Sequence, residues 1–248
     1  MKVETIGYSV SGLSCHGQLV YDETIRTRRP LLLVAPNWLG IIPPVLEVAK
    51  MLASDRYIVF VADMYGEGGK PTGKENPMEF LAPLMKNAAE TRKRVVAAFD
   101  TLVREAEKRD IGDTKRRAAI GYCFGGANVL DLARAGADVA AVVSMHGTFA
   151  TSMPAKRGEV KAAVLAVHGA ADPIAPKAER DGLEKEMDAA GVSWVMLNYG
   201  GVVHAFTDEP ANMPGVAVYY EPATRQGYQL AHTFIADAFA GKLTAAQR

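Results

Sequence analysis

The feature that most constrains this chain is a series of short, unbroken apolar runs spread along it. Pro30–Pro36 (PLLLVAP) and Tyr57–Ala62 (YIVFVA) come first, then strand-like segments at Arg117–Gly121, Val139–Ser144, Ala162–Val167 and Ser193–Asn198. An unbroken apolar run suits a strand covered on both faces, whereas a half-exposed strand alternates. Between these runs lie helical segments: Pro44–Ser54, Met78–Arg109 with a break expected near Pro83, Gly125–Ala135, Ala178–Ala190, and a closing helix over Thr224–Ala240. Pro222 suits the first turn of that last helix. Strand–helix alternation implies an α/β fold, with a mainly parallel sheet and helices on both faces. The exception is the start, where Val3–Val10 and Cys15–Tyr21 flank Ser11-Gly12 and read as an N-terminal hairpin. The sequence holds no repeat and no linker, so residues 1–248 read as a single domain, long enough to bury roughly 70–75% of its unfolded surface. The Gly66–Pro77 stretch is the best loop candidate, placed after a strand where such folds carry binding loops.

Composition narrows the function classes. Lys plus Arg is 28 and Asp plus Glu is 28, for a net charge of zero. Nucleic acid and anionic membranes both call for a basic surface, so neither is expected as a partner. The two cysteines, Cys15 and Cys123, cannot make a disulfide scaffold or a four-cysteine zinc site. The five histidines are scattered, without H-x-x-x-H or H-E-x-x-H, and no metal site is expected. Residues 1–4 enter no long apolar run, and the Pro30–Leu46 stretch is interrupted by Pro36, Asn37, Pro43 and Pro44, short of the ~20 residues of a membrane helix. The expectation is a soluble cytoplasmic protein, a monomer or small homo-oligomer, acting on a small molecule.

The segment that carries chemistry is Ala118–Gly126 (AAIGYCFGG), a short apolar strand running through G-x-C-x-G into a helix. This is the nucleophile-elbow pattern with Cys123 where serine is commoner. Its glycines are needed because side chains beside the turn would strike the neighbouring strand and helix. The helix N-terminus favours a thiolate, and the Phe124 N–H points where an oxyanion would form. The partners follow in the order nucleophile, acid, histidine. Asp172 lies just past the strand that ends in Val167-His168-Gly169, and His204 follows the last strand and precedes the last helix. His146 and His168 also stand at strand ends. His168 reads as structural, and His146 as a candidate pocket residue. Cys15 reads as a small hydrophobe.

These residues resemble the dienelactone hydrolase (carboxymethylenebutenolidase) family of α/β-hydrolases. The matches are Asp63-Met64-Tyr65-Gly66, the Gly121–Gly126 elbow, His168-Gly169 with Asp172-Pro173, and His204-Ala205-Phe206-Thr207. The resemblance implies a single-domain α/β-hydrolase fold and a Cys–His–Asp triad that cleaves esters or lactones through an acyl-thioester, without metal or organic cofactor. Carried over by motif, Cys123 is the nucleophile, His204 the base and Asp172 its orienter. The backbone N–H groups of Phe124 and Trp38 form the oxyanion hole, and Asn37, Tyr65, His146 and Phe206 are candidate pocket residues. Two positions depart from the family pattern. Asn37 stands where the family enzyme has a glutamate that gates the cysteine, and Asp208 stands where it has an arginine that binds the lactone carboxylate. Both argue against an anionic dienelactone as substrate.

The reading is therefore a cysteine hydrolase of an ester, lactone or thioester. Two alternatives stay open: a non-catalytic binding protein on a hydrolase scaffold, and an amidotransferase-like cysteine enzyme. The latter class often places histidine directly after the cysteine, where this chain has Phe124.

Overall fold

A computed structural model describes residues 1–69 and 76–244. Residues 70–75, the middle of the predicted Gly66–Pro77 loop, lie outside the described residues. Two compact units emerge, Met1–Ala119 and Ile120–Arg248.

The first unit opens with β1 (Lys2–Val10) and β2 (Leu13–Tyr21), antiparallel and joined through Ser11 and Gly12. Both turn residues have positive φ, at 50° and 85°, as tight two-residue hairpins require. Next come β3 (Arg29–Ala35), α1 (Pro43–Ala53), β4 (Ile58–Val61), α2 (Met78–Met85), α3 (Ala88–Arg109) and the start of β5 (Gly112–Tyr122). The strand order is β1-β2-β4-β3-β5; β4 runs antiparallel to β2 and parallel to β3. Every side chain of β4, and nearly every one of β3, is buried, as unbroken apolar runs demand. The Met78–Arg109 segment breaks at Lys86–Asn87, not at Pro83, which α2 accommodates. What restarts the helix is Asn87, whose side chain accepts from the Glu90 N–H as an N-cap.

The second unit takes in the end of β5, then α4 (Phe124–Arg134), β6 (Ala141–Met145), β7 (Ala163–Gly169), α5 (Lys177–Ala190), β8 (Trp194–Tyr199), β9 (Asn212–Met213), β10 (Ala217–Val218) and α6 (Glu221–Phe239). Strands β5-β6-β7-β8 lie side by side in chain order, and β6, β7 and β8 pair in parallel. All of β6 and β7 is buried. Parallel strands with helical returns leave their C-terminal ends, and the loops after them, at one edge of the sheet. Cys123, His146, Asp172 and His204 all come from such ends. The small β9–β10 hairpin was not foreseen from the sequence.

Candidate active site

Cys123 ends β5 and begins α4 with φ 54°, a left-handed conformation that a non-glycine residue adopts only under constraint. The constraint is local. The Cys123 N–H donates to the Met145 carbonyl at 3.0 Å, and the Cys123 carbonyl accepts from the Gly126 N–H at 2.9 Å. A Cβ on Gly121 would lie 2.0 Å from the Gly125 carbonyl oxygen, and one on Gly126 would lie 2.7 Å from both Gly147 Cα and Ser144 Oγ. Gly121 and Gly126 are thus needed for a close approach at the elbow. The thiol is partly exposed, while Cys15 is buried. Phe124 is the first residue of α4, so its N–H belongs to the positive end of that helix.

Asp172 comes from the turn after β7. Asp172 Oδ1 accepts from the N–H groups of Ile174 and Ala175 at 2.8 and 3.2 Å, and Oδ2 accepts from His204 Nδ1 at 2.7 Å. Both residues are buried. Burial alone would raise the Asp172 carboxyl, but the His204 hydrogen bond and the two backbone donors outweigh it and hold it below the usual carboxylate range. Burial likewise opposes charge on His204. The Asp172 hydrogen bond and the Cys123 thiol overcome that and raise the imidazole to about 10.

Several close fits bring His204 to Asp172. The Ala171 N–H donates to the Val202 carbonyl at 3.0 Å. A Cβ on Gly169 would meet that same carbonyl oxygen at 2.4 Å, so only glycine lets the 202–203 loop approach β7. The β9–β10 hairpin holds His204 from the other direction. The His204 N–H donates to the Val216 carbonyl at 3.1 Å, and the His204 carbonyl accepts from the Val218 N–H at 3.0 Å.

The remaining candidates take different places. His168 is buried, with Nε2 3.0 Å from the Ala175 carbonyl and its ring against Phe149, the structural position expected of it. His146 and Phe206, the candidate pocket residues, are each 0% exposed. They pack against His204 and each other: the His146 ring centroid is 5.2 Å from that of His204 and 5.0 Å from that of Phe206. Tyr65, Trp38 and Asn37 belong to the first unit. The Tyr65 hydroxyl donates to the Trp38 carbonyl. Asn37 Oδ1 accepts from the Leu39 N–H at 3.0 Å and its carbonyl accepts from the Gly40 N–H at 3.0 Å, an Asx turn that shapes this loop. Asp63 organises the next loop, accepting from the N–H groups of Tyr65, Gly66 and His16.

Sequence reasoning missed Thr207, whose hydroxyl lies 2.7 Å from His146 Nε2, and the hairpin that grips His204. The Pro214-Gly215 pair was a turn signal that could have located the hairpin. Among the described residues no cluster of three or more His, Cys, Asp or Glu side chains could hold a metal ion, and no helix is long and apolar enough to cross a membrane.

Mainly parallel strands, helical returns and an elbow at the end of β5 define the α/β-hydrolase class. The model of the dienelactone hydrolase family matches residues 17–239, and the chain belongs to that family. A solved structure titled m3DLH is 31% identical, covers 96% of this chain and 98% of its own, and superposes with a TM-score of 0.87. The dienelactone hydrolase-like promiscuous phosphotriesterase P91, from metagenomic libraries, is 28% identical, with 96% and 98% covered and a TM-score of 0.84. A putative carboxymethylenebutenolidase of Methylorubrum extorquens is 25% identical over 185 residues, which are 71% of this chain and 63% of that protein.

Proposed function

We propose that this protein hydrolyses a carboxylic ester or lactone by covalent catalysis at Cys123, with His204 as base and Asp172 as its orienter. The observation that carries this reading is the 2.7 Å bond from His204 Nδ1 to Asp172, on an imidazole whose proton affinity is also raised by Cys123. The raised imidazole supports His204 as the group that holds the proton during the reaction.

The sulfur attacks the carbonyl carbon, forming a C–S bond and pushing the C=O electron pair onto oxygen. The Phe124 N–H, at the N-terminus of α4, faces that developing charge. The intermediate collapses to an acyl-thioester, and the leaving alkoxide takes the proton from His204 Nε2. Neutral His204 then removes a proton from water, which attacks the thioester. The second collapse releases the carboxylic acid and returns sulfur and imidazole to their resting state. Ester and water are consumed; acid and alcohol are formed.

The test is turnover of short-chain aryl esters and neutral lactones by wild type and by Cys123→Ala, with mass spectrometry of the intact protein during turnover. Activity that is lost in Cys123→Ala, together with an acyl adduct on the Cys123 peptide, supports the proposal. An aryl phosphotriester belongs in the panel because of the activity named for P91. Ligand binding without turnover in wild type would favour a non-catalytic binding protein.

A further inference from the structure

His146 follows β6 with φ 40°, left-handed backbone on a non-glycine residue, and its N–H donates to the Val167 carbonyl at 2.8 Å. The preceding residue, Met145, supplies the carbonyl that holds the Cys123 N–H. One strand end therefore fixes the backbone at Cys123 and turns the next side chain inward. The His146 ring stands at 71° to the His204 ring and at 79° to that of Phe206.

Its hydrogen bonding is directional. Thr207 Oγ1 lies 2.7 Å from His146 Nε2 and 3.5 Å from Asp208 Oδ1, toward which it donates. A carboxylate only accepts, and a threonine hydroxyl has one proton to give. With that proton turned toward Asp208, His146 Nε2 is the donor to Thr207.

We propose that His146 is a positioning residue for His204, locked by Thr207 and Asp208 as a neutral ring protonated at Nε2, and that its packing fixes the orientation in which His204 meets Asp172. The inference rests on the reading of His204 as the base. A perpendicular ring at 5.2 Å blocks rotation of the His204 imidazole out of line with Asp172. A neutral neighbour also adds no positive charge beside an imidazolium. The groups that face His146 are His204 from the loop after β8, His168 from β7, Tyr122 from β5, and Asp208 through Thr207. Burial, with His204 and His168 adding to it, holds His146 well below the usual histidine range. In this arrangement Asp208, the residue that replaces the family's carboxylate-binding arginine, serves as an anchor for the hydroxyl.

The test uses the full chain, labelled with 15N, and two kinds of readout. Long-range proton–nitrogen spectra report the tautomer of His146 and the ring state of His204, while aryl-ester kinetics report kcat and KM. Wild-type His146 is expected to hold the neutral Nε2-protonated form from about pH 5 to about pH 8. Thr207→Val removes the acceptor while keeping the shape. It should mix the His146 tautomers and lower kcat about 10–100-fold with KM changed less than about twofold, because a misdirected base costs rate rather than binding. Thr207→Ser should restore both signals. His146→Asn, which tolerates the left-handed backbone, should lower kcat similarly and broaden the His204 nitrogen signals. The proposal is overturned if wild-type His146 titrates in that range or carries its proton on Nδ1, or if Thr207→Val keeps both its kcat and its tautomer. If wild type hydrolyses no ester, the functional reading fails, and the His204 signals of the variants still decide the role of His146.

Discussion

Asp172 spends one oxygen on two backbone N–H groups and the other on His204. Asp172→Asn keeps the shape but presents the wrong hydrogen-bonding pattern to the ring. Its kcat on an aryl ester should fall about 10⁴-fold, measured alongside an unchanged circular dichroism spectrum. The same pair makes stability depend on pH. His204 is raised to about 10 in the folded chain, against an ordinary value of about 6.5 in the unfolded one. Its contribution is therefore complete below about pH 6.5 and is lost as pH rises through about 10, because over that window the folded state holds a proton that the unfolded state has released. Urea midpoints at both ends of the window should drop with pH in wild type and drop less in Asp172→Asn. At this scale the sequence was informative where position follows chain order: Cys123, Asp172 and His204 each follow a strand that is plain to read, and the last two meet. Thr207 was not legible, since its value comes from His146, 61 residues away in the chain. Nor was Asn37, which reads as a lost gating carboxylate by resemblance and as an Asx turn by its hydrogen bonds.

Elements were predicted well where burial dictated them and less well where it did not. The apolar half of β5 was read correctly as a strand, but its polar first half, Gly112–Arg116, was missed because those residues extend the same strand with partly exposed side chains. Hairpin β9–β10 has only two residues per strand, too few for an alternation to register. Two glycines offer a paired test of element packing. Gly121→Ala would place a Cβ against main chain and should cost about 3 kcal/mol or more. In α6, a Cβ on Gly227 would meet Val167 Cγ1 at 3.4 Å, ordinary contact, so Gly227→Ala should be neutral or stabilising by up to about 1 kcal/mol. Denaturant midpoints of the two variants give the comparison. Helices α4 and α5 are joined by an ion pair of unusual burial: Arg134, with its side chain 2% exposed, bonds Glu186 through both Nε and Nη2 and also reaches Asp131 and the Phe149 carbonyl. Arg134→Met would strand two enclosed carboxylates and should cost about 3–5 kcal/mol, read from the same unfolding curves.

For the molecule as a whole, the useful quantity is its charge. With 28 basic and 28 acidic side chains and a sequence pI near 7.0, there is no net field to draw in a charged ligand. For a neutral aryl ester, kcat/KM should change less than about twofold between about 0.05 and about 0.5 M salt, since little long-range attraction exists to be screened. A steep dependence in stopped-assay kinetics would reveal a local charged approach that the totals conceal. The overall α/β character was legible because alternating buried runs and helices admit few architectures. The identity of the substrate was not, because loops rather than the sheet set what a site accepts.

His204 is gripped through its own peptide groups by the Asn212–Val218 hairpin, whose Met213 and Val216 lie open to solvent. A single cut in the Pro214-Gly215 turn would leave the buried strands untouched yet release one wall of the ladder that carries His204. If His204 acts as proposed, limited digestion should therefore produce a nicked species that still melts cooperatively but no longer turns over, its working lifetime among proteases set by this short exposed ribbon and not by global unfolding.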